Sequence, residues 1–158
     1  MIEKTESLLP RFASTDELKA ICVGFEDDSL KELEQLLSTL GIKTANSMLV
    51  KIRSIHPATY IGKGKCEEIK NMLDLHQAHI FAIDVELSPV QLHNLEKLFT
   101  KAILDRPGVI IEIFSRHART KEAKTQVELA KLGYLLPRLK HFWTHFERQR
   151  GGIGLKGV

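Results

Sequence analysis

Cysteine is nearly absent from this sequence: Cys22 and Cys66 are the only two in 158 residues, and no C-x-x-C spacing occurs. Neither a disulfide framework nor a cysteine-based metal site is indicated, and both thiols read as free and buried. Long apolar runs are missing as well. No stretch of roughly 18 or more apolar residues exists, and the opening MIEKTESLLPRF lacks the charged-then-apolar layout of a signal peptide. Neither a membrane span nor secretion is indicated, and the cytoplasm is the expected location. The sequence also lacks G-x-x-x-x-G-K-[ST], the loop that cradles nucleotide phosphates, and H-E-x-x-H, the helical zinc signature. Seven histidines are present, of which His141 and His145 stand four apart on one helix face, but no third ligand accompanies them. No catalytic residue and no metal site are assigned.

What is present is apolar material for one compact domain plus an appendage: 43% of residues are hydrophobic and 27% charged. The net charge of +3 conceals an asymmetry. Residues 1–114 carry 13 Lys/Arg against 17 Asp/Glu, whereas residues 115–158 carry 10 against 3. A basic segment on a mildly acidic domain favours a polyanionic partner, although a solvated helix face is the plainer reading of charge alone.

Along the chain, strand-like and helix-like patterns alternate. LKAICVGFE (18–26) is an apolar strand run, and DDSLKELEQLLSTLG places Leu30, Leu33, Leu37 and Leu40 on one helical face. Ser29 and Glu32 have capping-box spacing, and Gly41 suits the left-handed position after the helix. MLVKIRSI (48–55) alternates as a half-covered strand, followed by a helix over KCEEIKNMLDLH. HIFAIDV (79–85) reads as a central strand covered on both faces. The next helix is predicted with Ser88 as N-cap, Pro89 at its first position and Gln91 completing a capping box. KAILD (101–105) is a fourth strand, and Pro107 opens a helix through GVIIEIFSRHA. Helical crossovers between strands imply a small, mainly parallel sheet flanked by helices, hence an α/β fold.

From Thr120 onward only helical signal remains. Leu129, Leu132, Leu136, Leu139, Trp143 and Phe146 follow one another at spacings of three and four, a narrow heptad-like seam that needs a partner helix. The arm extends about 45 Å at 1.5 Å per residue, beyond a domain of this size, and Pro137 predicts a bend near Leu136.

Two stretches carry candidate binding residues. YIGKGK places Gly62, Lys63, Gly64 and Lys65 just before a helix, where amides and lysines suit an anion, although a tight connection needing positive φ is the plainer reading of the glycines. Asp84, at the end of its strand, sits where ligands bind in open α/β sheets, or serves as a cap. In KHFWTHFERQRGGIGLKGV, basic residues, aromatics and glycines interleave, as they do in RNA-binding segments. Trp143 and Phe146 belong to the seam, which leaves Arg148, Arg150 and Lys156 to meet phosphates.

The run DRPGVIIEIFSRHARTKEAKTQVELAKLGYLLPRL, then WTHFERQRGGIG, together with PATYIGKGK upstream, resembles the N-terminal region of HflX-type GTPases from about Leu18 onward. The resemblance implies an α/β subdomain over residues 1–119. It also implies that residues 120–158 form the first arm and tip loop of a helical hairpin, cut off before the second helix and the GTPase domain. It further implies a cytoplasmic protein that binds the large ribosomal subunit and its rRNA. The intact protein, with GTP and Mg2+, would couple hydrolysis to separating ribosomal subunits under stress, while this chain alone carries no cofactor. Tip contacts with rRNA fall on Arg148, Gly151, Gly152, Ile153 and Gly154. Leu155, Lys156 and Val158 depart from the family's threonine, arginine and proline, and Pro107 and His117 from its threonine and arginine. Two other readings remain open: a nucleotide-binding domain acting through YIGKGK, and a protein-interaction module using the seam, which also predicts self-association.

Overall fold

The computed structural model describes residues 18–154, with side chains described as far as Arg138. Apolar residues on alternate positions give β1 (Lys19–Gly24) two buried faces: Ile21 and Val23 enter one core, Ala20 and Cys22 the other. β3 (Ile80–Ile83) repeats the arrangement with Phe81 and Ile83 against Ile80 and Ala82. These two strands lie side by side at the centre of a four-stranded sheet of order β2-β1-β3-β4, where β2 is Lys43–Leu49 and β4 is Ala102–Asp105. Every pairing is parallel. α1 (Asp27–Thr39) and α4 (Arg106–His117) cover one face through Leu30, Leu33, Leu37 and Val109. α2 (Lys63–Leu75) and α3 (Pro89–Phe99) cover the other through Ile69, Leu73, Leu95 and Phe99. The result is the expected α/β architecture, and each fully buried leucine contributes on the order of 1.5–3 kcal/mol.

Local signals behave unevenly. Ser88 caps α3 as the sequence implies: its hydroxyl accepts from the Gln91 amide at 3.2 Å, and the Gln91 side chain accepts from the Ser88 amide at 3.0 Å. Gly41 adopts φ 77°, the left-handed geometry expected after α1. The Ser29–Glu32 capping box does not form. α1 begins earlier, at Asp27, with Glu26 as N-cap and no side-chain cap, and Asp27 and Asp28 answer the positive end of the helix dipole instead. Ser29 gives its hydroxyl to the more deeply buried Asp84, and Glu32 pairs with Arg106 at 3.1 Å.

β2 also begins earlier than its apolar alternation suggests. It is an edge strand, only partly covered, so its polar residues Lys43, Thr44, Asn46 and Ser47 pair with β1 while carrying little apolar signal. Val50 makes the last ladder bond, its amide to the Gly24 carbonyl at 2.9 Å, and the chain then leaves the sheet.

α5 (Lys121–Gly154) follows Thr120, whose hydroxyl accepts from the Ala123 amide at 3.0 Å. It runs as one 34-residue helix with Pro137 inside it, so the bend expected at Leu136 does not divide the element. Proline lacks the amide that would bond the carbonyl of Gly133, and the exposed glycine leaves that carbonyl accessible to water. The helical backbone continues through Gly151–Gly154, where the sequence suggests a tip loop. Among the described residues no helix is long and apolar enough to cross a membrane.

Candidate functional site

Among the described residues, two places bring chemistry-bearing residues together. The first is a cleft at the carboxyl ends of β1, β2 and β3, with a volume of about 830 Å³. After β1 the chain turns to α1 on one face of the sheet, and after β3 to α3 on the other. A crevice opens between neighbouring parallel strands whose connections diverge in this way. Phe25, Ser29, Lys51, Arg53, Tyr60 and Asp84 line it. The Phe25 and Tyr60 rings stand 5.5 Å apart at 49°, while Lys51 and Arg53 are exposed on the rim.

Asp84 is committed within the domain. One oxygen accepts from the Ser29 hydroxyl and the other from the Arg106 guanidinium, which also reaches Glu32. Its bond to Asp84, followed by that to Glu32, holds the Arg106 guanidinium even more firmly protonated than usual. Asp84 therefore ties α1 to the start of α4, the structural alternative raised by its sequence position.

The loop before α2 is pinned by α3: Gln91 Nε2 donates to the His56 carbonyl at 3.1 Å, and Asn94 Nδ2 to the Ala58 carbonyl at 2.9 Å. The positive φ anticipated for its glycines belongs instead to Tyr60, at 66°. Gly62 is the N-cap of α2 at φ −66°, and Lys63, Gly64 and Lys65 form the first turn of that helix. These four residues are exposed and do not line the cleft, so the structure separates YIGKGK into Tyr60 at the cleft and lysines outside it. Lys65 pairs with Glu68 at 3.2 Å.

The second place is α5. Leu129, Leu132 and Leu136 are 64%, 40% and 58% exposed, so the leucine row turns away from the sheet domain. The rest of the seam, Leu139, Trp143 and Phe146, lies beyond the described side chains, as do Arg148 and Arg150. Gly151, Gly152, Ile153 and Gly154 are placed only as helical backbone, and Lys156 lies outside the described residues.

The stripe that docks is the polar one. Val127, Lys131, Tyr134 and Arg138, spaced by four, three and four, face inward; Lys131 is only 4% exposed. At the centre of this contact lies Asp105, the last residue of β4 and N-cap of α4, 0% exposed. Its Oδ1 accepts from the Gly108 amide at 3.1 Å and from the Tyr134 hydroxyl. Its Oδ2 accepts from the Leu87 amide at 3.1 Å and from Arg138 at 3.2 Å. The Arg138 guanidinium carbon sits 3.5 Å over the Tyr134 ring, while the terminal nitrogens of the same group donate to the Tyr134 carbonyl (Nη1) and the Leu87 carbonyl (Nη2). Burial, and then the adjacent carboxylate, push the Tyr134 phenol well above its ordinary range. Sequence reasoning missed this cluster because an apolar stripe drew attention to the opposite face. The available signal was the N-cap pattern of Asp105 with Pro107 and Gly108 at the start of α4.

Nothing in the chain supplies a phosphate-cradling loop of the G-x-x-x-x-G-K-[ST] kind. Among the described residues no group of three His, Cys, Asp or Glu side chains could hold a metal ion. No step of nucleotide chemistry is therefore assigned to these residues.

Residues 27–115 match the family described as GTP-binding GTPase N-terminal, and residues 117–158 the GTP-binding GTPase Middle Region. The chain is 42% identical over 130 residues to GTPase HflX of Escherichia coli, covering 82% of this chain and 30% of that protein. It is 43% identical over 143 residues to GTPase HflX of Lacrimispora saccharolytica, covering 89% and 34%. A GTP-binding protein from the archaeon Sulfolobus solfataricus, solved in complex with GDP, aligns with a TM-score of 0.66 at 28% identity, covering 89% of this chain and 44% of that one. The chain thus spans about a third of the length of these curated relatives. With both family regions matched in order across residues 27–158, the chain belongs to the HflX family of GTP-binding GTPases and corresponds to their N-terminal part.

Proposed function

We propose that this chain is the ribosome-binding N-terminal portion of an HflX-type GTP-binding protein, in which α5 carries a basic apex toward rRNA of the large subunit. The observation that carries the reading is the division of α5 into a docked polar face and a leucine row left exposed at Leu129, Leu132 and Leu136. A helix held to its domain by one face, with an apolar seam open on another, is suited to pair with a second helix and to project its far end. The basic excess of residues 115–158 falls on this same arm. In the intact protein, GTP and Mg2+ would act in the domain beyond this part, and hydrolysis would drive release or separation of ribosomal subunits in the cytoplasm.

Sedimentation of the chain with purified large subunits across a salt series tests the reading. Affinity falls by about 0.7–0.9 logarithmic units per phosphate contact for each tenfold rise in salt. Replacing Arg148, Arg150 and Lys156 by alanine flattens that slope. An unchanged slope in the triple variant removes the apex assignment.

A second reading is favoured by the cleft, whose aromatic pair and rim cations suit a small ligand with a planar ring and an anionic group. Titration with adenine and guanine nucleotides separates it from the first. Absence of binding at millimolar nucleotide rejects it. The exposed seam equally supports docking of another protein's helix or self-association, which sedimentation at high concentration detects.

A further inference from the structure

We propose that Asp105, Tyr134 and Arg138 form a clamp that fixes the direction in which α5 leaves the sheet domain, and are thus the positioning residues of the arm. The functional consequence rests on the reading of α5 as an RNA-directed arm; the clamp itself does not.

The argument begins with the carboxylate. Asp105 is held by its own domain through two amides, Leu87 on the β3–α3 connection and Gly108 in the first turn of α4. Its position is therefore set before α5 is considered. Each of its oxygens then takes one further donor from α5, the Tyr134 hydroxyl on Oδ1 and the Arg138 guanidinium on Oδ2. Residues four apart lie on the same helical face one turn from each other. Two fixed points one turn apart along the helix determine its direction and its advance along its axis, and the close approach of Gly108 to Tyr134 limits rotation about the line that joins them. A row of leucines could not do so, because apolar contacts are non-directional and tolerate sliding.

Arg138 tightens the arrangement. Its fork reaches the Leu87 carbonyl at 3.4 Å on one side and the Tyr134 carbonyl of its own helix on the other, while its face lies on the Tyr134 ring. A planar guanidinium bonded in several directions has few alternative placements. Gly108 is part of the design: a Cβ there would stand 3.0 Å from the Tyr134 hydroxyl and 3.1 Å from Asp105 Oδ1. The α4 backbone thus comes close enough for the Tyr134 hydroxyl to reach the carboxylate.

The lever is long. From Arg138 to Gly154 the helix rises about 24 Å, so a tilt of about 15° at the clamp displaces the far end by about 6 Å. That distance exceeds what a hydrogen bond to a phosphate tolerates.

Double electron–electron resonance on the whole chain tests the clamp, with spin labels at Lys97→Cys on α3 and His145→Cys on the arm. Cys22 and Cys66 are buried and stay unlabelled. The parent chain should give one narrow distance distribution. Tyr134→Phe, which removes a single hydroxyl, and Arg138→Lys, which keeps the charge and loses the fork, should each broaden it and shift its centre by about 3 Å, the displacement that a tilt of about 15° gives over the roughly 10 Å from residue 138 to residue 145. Two variants of different severity keep the test open if one fails to fold. Distributions as narrow as the parent's in folded variants overturn the proposal, even if thermal stability has dropped, because a merely stabilising contact predicts only that drop. Large-subunit binding, measured in parallel, distinguishes this failure from that of the ribosome reading. If the competent direction is populated about a tenth of the time, affinity falls about tenfold in clamp variants with the salt slope unchanged. Apex variants instead lower the slope with distances unchanged. Broadened distances in a chain that never bound subunits would remove the ribosome reading and leave the clamp standing.

Discussion

Gly108→Ala provides a sharp energetic test of the contact between α4 and α5, because two effects of similar size oppose each other there. Gly108 lies in the first turn of α4, where alanine favours the helix over glycine by up to about 1 kcal/mol. Against this, the added Cβ would stand 3.0 Å from the Tyr134 hydroxyl, and 3.1 Å from Asp105 Oδ1. Either the hydroxyl moves and its bond to a buried carboxylate is lost, or the helices separate. Losing a hydrogen bond to a charged group costs about 1.5–3 kcal/mol, so the net effect in the parent chain should be a destabilisation of about 1–2 kcal/mol. In Tyr134→Phe the hydroxyl is already gone, and the nearest remaining Tyr134 atom, Cζ at 3.5 Å, is at ordinary contact distance. There the approach to Asp105 Oδ1 at 3.1 Å still opposes the helix preference for alanine, but the hydroxyl's bond is no longer at stake, so the same substitution should be about 1–3 kcal/mol less costly than in the parent chain. A double-mutant cycle from urea unfolding of the four chains should therefore show a coupling of about 1–3 kcal/mol. Additivity within about 0.5 kcal/mol would refute the reasoning, since it would mean that Gly108 and the Tyr134 hydroxyl do not compete for space.

Three further outcomes follow from local geometry. Ser88→Ala removes one half of the α3 capping box and should cost about 1 kcal/mol in urea unfolding, whereas Ser29→Ala should act through Asp84 and Arg106 rather than by fraying α1. Burial raises the Cys22 thiol to about 11, despite the opposing contact with Thr44, so the folded state favours the neutral form. The corresponding stability is fully present below pH ~9 and is lost as pH rises toward ~11, by about 2–3 kcal/mol, which unfolding midpoints across that window should show; a Cys22→Ala chain should lose less, the remainder coming from Cys66 and Tyr134, whose protonated forms burial also favours. Gly62→Ala and Gly64→Ala should each leave unfolding midpoints within about 0.5 kcal/mol of the parent or slightly above it, because a Cβ there meets nothing and Gly62 has φ −66°. Gly41→Ala, at φ 77°, should instead destabilise by about 1 kcal/mol.

Much of this molecule is written in local pattern. Alternating apolar pairs along LKAICVG and HIFAI determined two strands buried on both faces, and the helical leucines of α1 determined what covers one of them. The Ser88, Pro89 and Gln91 signature determined the start of α3, because a capping box is satisfied within four residues and needs no distant partner. The leucine row of α5 was legible as a seam for the same reason: its spacing alone says that those side chains share a face.

Tertiary structure decided what involved competition between distant groups. Ser29 had a local use as a cap and a distant one at Asp84, and the buried carboxylate 55 residues away prevailed because leaving one of its oxygens without a donor there would cost more than an uncapped helix on the surface. Lys43 to Ser47 became strand because β1 offered a ladder on its open edge, not because of their own composition. The cleft and the Asp105 cluster are assembled from residues as much as 60 and 51 positions apart, from Phe25 to Val85 and from Leu87 to Arg138. A carboxylate at the end of a strand carries no mark of which helix will return to it; that depends on how the chain crosses the sheet, and parallel crossovers join positions that no short-range pattern connects.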